Sequence, residues 1–403
     1  MDVFDRCFAW DEDLKAEAAG LHPYFHEISS GQDPEVICEG KRMIMVGSNN
    51  YLGLTSHPKL KRAAKEAVDK YGVGCVGSRF LNGTLDIHVE LERRLADFMD
   101  REAALSFTTG MQTNLGVISA LVRKNDLILT DKYDHASIID GCRLSFAKMK
   151  RFHHNDMEQL ERLLSTKEPG QGCLIVIDGV FSMEGDLANV PDIVYLARKY
   201  DTRVMLDDAH GVGVMGENGR GTAEHFGLNG EVDIIMASFS KSFASIGGFV
   251  VTSDRVVQYL KHRARALIFS ASLPPSIVAS VLAALEIIKN EPERRRMLMR
   301  IAHKMYIGLK SLGFEVGNGQ TPIIPVYVGD NTLAFMLWRK LFDNGVFATP
   351  VVSPAVPEGR ALIRVSCMAT HTDEHVDTVI NAFADAAAEV GLIPSEMDQA
   401  ASS

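Results

Sequence analysis

An open α/β sheet, mostly parallel, followed by a smaller α+β unit is the architecture that this sequence predicts, and three observations predict it. Short uninterrupted apolar runs, such as Cys173–Ile177 and Ile234–Ala237, have the length and composition of strands covered on both faces. A helix-period segment separates two of these runs, and strand–helix–strand alternation builds parallel crossover units. From about residue 290 the alternation gives way to longer helices and fewer strands. At 403 residues the chain has room for two or three domains at ~150 residues each.

Along the chain, the first 55 residues read as a segment that could join either domain or a partner. A glycine-dense stretch, "VGCVGSRFLNGT", precedes a helix in which Ile87, Leu91, Leu95 and Phe98 form an apolar stripe and Glu90–Arg94 an i,i+4 pair. "ALSF" is a strand, Thr108-Thr109-Gly110 a turn, and the next residues a helix. A glycine turn at a helix N-terminus offers N–H groups to an anion. "LILT" and then "YDHASIIDG" bring His135 after a further strand, where it could simply cap the helix that follows. After Cys173–Ile177, Pro191 suits a first helical turn and Val190, Ile193, Val194 and Ala197 recur at helical spacing. "TRVMLDDAH" and "VDIIMAS" are strands, and "GGFVVTS" continues the sheet so soon after Lys241 that it could run antiparallel. In the second domain "TPIIPVYVG", "VFATPVV" and "ALIRVSCM" are strands, and Thr372 caps a terminal amphipathic helix.

The net charge of −10 argues against a broad polyanion-binding surface but not against a small anionic ligand in a local pocket. The basic run from Lys261 to Arg265 reads as a solvated helix face. Six scattered cysteines without a CxxC suggest no zinc knuckle and an expected reduced, cytoplasmic setting. The acidic N-terminus lacks the apolar core of a signal peptide, and no run reaches the ~18 apolar residues of a spanning helix, so any membrane contact is expected to be peripheral.

Ligands of open parallel sheets bind beyond the carboxyl ends of the strands. Those ends carry Ser182, then Asp207 and His210, then Ser238, Ser240 and Lys241. An amine, an acid and an imidazole on one rim suit pyridoxal 5'-phosphate (PLP): lysine for the Schiff base, and an acid to keep the ring nitrogen protonated. Each residue alone has an ordinary reading, as a surface lysine, a turn aspartate or a structural histidine. Arg364 is a lone cation in an apolar strand and needs an anion, either a substrate carboxylate or a structural acid. "GVGVMG" at 211–216 matches a dinucleotide loop, with Asp233 at the right distance, but the glycine-rich "ENGRG" that follows breaks the helix such a loop requires.

With those residues placed, the sequence resembles the α-oxoamine synthases, PLP enzymes that condense an amino acid with an acyl-CoA and release carbon dioxide. The motifs are "GSNNYLGL", "GSRFLNGT" with "HVELE", "DHASIIDG", "VFSMEGD", "DDAHGVGV" and "SFSKSFASIGG", spread over nearly the whole chain. Within the family it looks most like the bacterial members that transfer a palmitoyl group to L-serine. The resemblance implies a fold-type-I transferase with a seven-stranded-type sheet. It implies a large domain at 56–290 and a small α+β domain at 291–403, after the 1–55 segment. It also implies roles. Lys241 binds the coenzyme and moves the Cα proton, and Asp207 pairs with the pyridine nitrogen. His210 and Ser182 contact the ring hydroxyl, while His135 stacks on the ring. Gly110, Met111, Ser238 and Ser240 hold the phosphate, Asn50 and Arg364 face the substrate carboxylate or nascent ketone, and Ser270 reaches a partner's phosphate in a homodimer with shared sites. L-serine and a long-chain acyl-CoA are the implied substrates. Glycine C-acetyltransferase, 8-amino-7-oxononanoate synthase and 5-aminolevulinate synthase chemistry remain open, as does a non-catalytic partner subunit.

Overall fold

The computed structural model describes residues 2–393. They form two compact units, one from residues up to Ser48 and from Met299 onward, the other from Asn49–Leu298. The 1–55 segment is therefore divided. Its strand Lys41–Met45 pairs with Val346–Phe347, a contact between distant stretches of chain that local sequence does not announce. The second boundary falls within the helix Glu293–Ser311 rather than at 290.

The larger unit is built on a seven-stranded sheet: β1 (Ala103–Phe107), β2 (Leu127–Asp131), β3 (Lys148–Phe152), β4 (Cys173–Asp178), β5 (Arg203–Asp207), β6 (Ile234–Ser238) and β7 (Gly248–Thr252). Their order is β1-β7-β6-β5-β4-β2-β3. Neighbours from β6 to β3 pair in parallel, whereas β7 runs antiparallel to both β1 and β6. The link from Ser238 to Gly248 is shorter than the dozen or so residues of a parallel crossover, so β7 has to turn back. Strands β2, β6 and β7 are buried along their whole length, in keeping with the apolar runs Leu127–Leu129, Ile234–Ala237 and Phe249–Val251 within them.

Four helices matter for the site: α1 (Asp86–Met99), α2 (Gly110–Leu121), α3 (Ala136–Ser145) and α4 (Val190–Lys199). Thr109 caps α2 by accepting a hydrogen bond from Gln112 N at 3.0 Å. Val117 and Ile118 of α2 and Ile138 and Cys142 of α3 bury against Leu105, Ile128, Val176, Met205 and Val250 of the sheet. Each such apolar side chain contributes about 1.5–3 kcal/mol when fully buried. Gly141 brings α3 close to α2, for a Cβ there would stand 3.0 Å from Asn114 O. The α1 stripe buries Leu91, Leu95 and Phe98, with Ile87 half-buried. That face also buries His88 and Glu92. Glu92 is admitted because Arg79 of the glycine-dense loop grips both its oxygens, at 2.6 and 3.1 Å, and Ser106 N donates to it at 3.0 Å.

In the other unit, Ala361–Ser366 lies between Ile323–Gly329 and Thr349–Val351, all antiparallel. Thr372 caps Asp373–Glu389. The expected single strand "VFATPVV" is two: Val346–Phe347 joins the sheet of Glu35–Cys38 and Lys41–Met45, and Thr349–Val351 joins the other sheet. An apolar run specifies burial and says nothing of which sheet receives each half. No helix of the described residues is long and apolar enough to cross a membrane.

Candidate active site

The carboxyl ends of β4, β5 and β6 and the N-termini of α2 and α3 enclose a cavity of about 330 Å³. Gly110, Met111, His135, Ser182, Asp207, His210, Ser238, Ser240 and Lys241 all line it. A larger groove of about 860 Å³ lies at the opposite ends of the strands, where Arg203 is paired with Asp233 at 2.7 Å. It gathers no combination of amine, acid and imidazole, so the smaller cavity carries the chemistry.

Lys241 is delivered by a turn fastened on both sides. Phe239 and Phe243 are fully buried and pack on each other and on Phe249 of β7, with ring centroids 5.3–6.1 Å apart. Ala244 N donates to Lys241 O at 2.9 Å, and Ala244 itself is held at φ +52°. Next to the lysine, Ser238 Oγ and Ser240 Oγ lie 2.6 Å apart. A Cβ on Gly110 would come within 3.1 Å of Ser238 Oγ, so glycine leaves a hollow between the α2 N-terminus and the two hydroxyls.

Asp207 ends β5 beside Asp178 of β4, to which it is paired in register. Its carboxylate accepts from Asn114 Nδ2 of α2 at 2.7 Å and from Ala209 N at 3.1 Å. Asn114 also donates to Ser137 Oγ at 2.8 Å, tying α2 to α3. Asp178 accepts from His135 N at 2.7 Å. Burial first, and then the charges of Asp207 and Asp134, push the Asp178 carboxyl well above the usual aspartate range. His135 caps α3 and also lines the cavity. His210 Nδ1 lies 2.7 Å from the Tyr51 hydroxyl.

The loop that resembles a dinucleotide site is organised around Asp208. That fully buried carboxylate accepts from Thr222 N at 2.5 Å and Thr222 Oγ1 at 2.6 Å, and burial above all pushes it up to about 7. A Cβ at Gly211 or Gly221 would lie 1.9 Å from its oxygens. These glycines make room for an internal acid, not a pyrophosphate, and turns fill 209–220 where a dinucleotide fold needs a helix.

Three expected site residues are not among those that line this cavity. Asn50 is buried in a turn, accepting from Leu54 N and donating to Thr55 Oγ1, both at 2.9 Å. Ser270 accepts from Gln112 Nε2 at 2.9 Å beside a separate small hollow. Arg364 belongs to the other unit, buried in its strand and bonded to Ser366 Oγ at 2.7 Å. Sequence reasoning missed Asn114, Asp178 and Tyr51. Asp178 is legible by the strand-end rule that found Asp207. Asn114 sits inside a helix without a local signal, and Tyr51 lies within "GSNNYLGL".

The donor set fits PLP: a hollow bounded by N–H groups and two hydroxyls for a phosphate, an acid braced by an amide for the pyridine nitrogen, and a lysine lining the same cavity. The comparisons agree. The family model for aminotransferase class I and II matches residues 41–383. A serine palmitoyltransferase of Sphingobacterium spiritivorum is 52% identical over 369 residues, 92% of each chain. An 8-amino-7-oxononanoate synthase of Thermoanaerobacter pseudethanolicus is 44% identical over 95% of this chain and 96% of its own. The solved structure of a lysine-to-alanine variant of serine palmitoyltransferase from S. paucimobilis, with a bound PLP–myriocin aldimine, superposes with a TM-score of 0.94 at 37% identity, covering 98% of this chain and all of that one. The chain belongs to the class I and II aminotransferase family of PLP-dependent enzymes, with the fold-type-I architecture, and within it to the α-oxoamine synthases.

Proposed function

We propose that this enzyme condenses L-serine with palmitoyl-CoA to give 3-oxosphinganine, CoA and carbon dioxide, the entry to sphingolipids. The observation that carries the chemistry is the convergence of Lys241, Asp207, His210 and His135 on one cavity of about 330 Å³. The relatives named serine palmitoyltransferase, which include one at 52% identity, favour these substrates over those of the 8-amino-7-oxononanoate synthases at 43–44%.

PLP, when bound, supplies an electron sink for negative charge at the amino acid's Cα. Lys241 would hold the coenzyme, and its Nζ would take the Cα proton of the incoming serine. The carbon left behind bonds to the thioester carbonyl carbon as the C–S bond breaks and CoA leaves. The bond from Cα to the carboxylate then breaks, and Lys241 returns a proton to Cα. Asp207, braced by Asn114, pairs with the pyridine nitrogen. His210, set by Tyr51, and Ser182 address the ring hydroxyl. His135 covers the ring face and orients serine. Gly110 and Met111 backbone N–H groups with Ser238 and Ser240 hold the phosphate. Asn50 and Arg364 serve the amino-acid carboxylate or the new ketone.

The chain acts as a cytoplasmic homodimer, in which Ser270 serves the partner's phosphate. Supporting this, Val76, Phe80, Leu81 and Phe269 of the larger unit are 51–95% exposed, more apolar surface than a monomer usually leaves in water. Any contact with a membrane, to collect the acyl substrate, is peripheral.

Mass spectrometry after incubation with serine and palmitoyl-CoA should find 3-oxosphinganine, with alanine and glycine giving far less product. A preference for alanine would move the enzyme to the sister activity. Lys241→Ala should lose the absorbance of lysine-bound coenzyme together with turnover, and a fully active variant would refute the mechanism.

A further inference from the structure

A partly buried ionic cluster lies beside the cavity residues His135 and Ser182 in sequence, and the roles above do not use it. His154, between β3 and the helix Met157–Leu164, meets a carboxylate at each ring nitrogen. Nδ1 is 3.2 Å from Asp131 Oδ1 and Nε2 is 2.8 Å from Asp186 Oδ2. Tyr133 stacks on the imidazole with centroids 4.6 Å apart, and Phe181 meets it edge-on at 4.4 Å.

Both aromatic contacts sit beside cavity residues. Tyr133 precedes His135 by two positions, and Phe181 immediately precedes Ser182. A hydrogen-bonded path also leads from His154 to His135. Asp131 Oδ1 accepts from Tyr133 N at 2.8 Å, and Asp131 N donates to Asp134 Oδ2 at 2.7 Å. Asp134 Oδ1 accepts from Asp178 N at 2.9 Å, and Asp178 Oδ2 accepts from His135 N at 2.7 Å. On the other side, Asp186 N donates nothing to the ring but its segment is closed by Phe181 N bonding Asp186 O at 3.0 Å.

Burial pushes the His154 imidazole down, but hydrogen bonds to Asp131 and Asp186, and their charges, outweigh it and raise the group to about 10. It is therefore a cation at neutral pH. Two opposed N–H donors on a flat ring suit a site between two acids and two aromatic faces, and a lysine or an amide cannot supply both directions at once.

We propose that His154 is a positioning residue for the reaction: as the common support of the 131–135 and 181–186 segments, it fixes His135 and Ser182 relative to each other without touching the coenzyme. The proposal rests on the cavity being the PLP site.

The test is a double-mutant cycle on the holoenzyme, using His154→Gln, His135→Asn and the pair. It reads visible circular dichroism of the bound coenzyme and kcat/KM for L-serine well below each melting temperature. His154→Gln should keep bound coenzyme yet change its dichroic band as His135→Asn does, and should lower kcat/KM on the order of 10- to 100-fold, as small misplacements in active sites do. The double variant should be little worse than His135→Asn alone, because the two share one function. An unchanged band in His154→Gln, or losses that simply multiply, overturns the proposal. Should His154→Gln not fold, Asp186→Asn keeps the ring and its Asp131 bond. Its band should change in the same direction, and a wild-type band there overturns the proposal equally. Wild-type protein that takes up no PLP would instead remove the reading of the cavity itself.

Discussion

Asp178 and Asp207 stand side by side at the ends of adjacent strands, and their surroundings give them different work. Asp207 accepts two hydrogen bonds, from Asn114 and Ala209. Burial and the neighbouring acids hold the Asp178 carboxyl well above the usual aspartate range. An amide at 178 keeps an acceptor for His135 N, whereas an amide at 207 removes the acid proposed to pair with the pyridine nitrogen. Asp178→Asn should therefore hold kcat/KM within about 3-fold of wild type, since Asn can still accept from His135 N. Asp207→Asn should lose on the order of 100-fold or more, as removal of an electrostatic stabiliser does. Steady-state assays at pH 7.5 compare them (~ one pH suffices, because the contrast is between variants), and equal damage from both would sink the assignment. Lys241, Asp207, His210 and His135 were legible at this scale because each follows a recognisable strand. Asn114 and Tyr51 were not, because their partners, Asp207 and His210, are brought to them by the sheet order and by no local pattern.

At the scale of elements, the turn from Ser238 to Gly248 carries Lys241, the proposed nucleophile, and stores strain at Ala244. Ala244 occupies left-handed backbone at φ +52°, where an alanine Cβ is disfavoured by roughly 1 kcal/mol. Two buried phenylalanines over-determine the turn and hold that conformation. Ala244→Gly should raise unfolding stability by about 0.5–1 kcal/mol, less whatever entropy glycine adds to the unfolded chain. Urea melts of the holoenzyme measure it, and a clear loss of stability would mean the alanine methyl packs usefully. The antiparallel return of β7 was legible from the shortness of this turn. The division of Val346–Val351 between two sheets was not, since hydrophobic pattern is blind to partner strand. The dinucleotide-like spacing of Gly211–Gly216 is discounted by the sequence itself, because "ENGRG" breaks the helix, and packing against Asp208 gives the reason for glycine at 211 and 221.

Stability against pH belongs to the molecule as a whole, and His154 makes a definite contribution to it. In the unfolded chain a histidine titrates near 6.5, and here the folded value is about 10. A folded value above the unfolded one means the native state binds the extra proton between those limits. The resulting stabilisation is complete below about pH 6.5 and is lost as pH rises through about 10. Its full size is on the order of 5 kcal/mol, at 1.36 kcal/mol for each pH unit of separation. Other groups titrate in the same window, so the informative quantity is the difference between wild type and His154→Gln, in which they cancel. Unfolding free energies measured at pH 7 and pH 9.5 should show that difference shrinking by a few kcal/mol towards alkaline pH. A difference constant across the window would mean that the imidazole is neutral in the native protein and that Asp131 and Asp186 are held by some other means. The same measurement separates the two duties assigned to this side chain. Alkaline loss of stability without a change in the coenzyme's dichroic band would leave His154 a structural cation alone, whereas the two changing together would tie the fold's charge balance to the placement of His135.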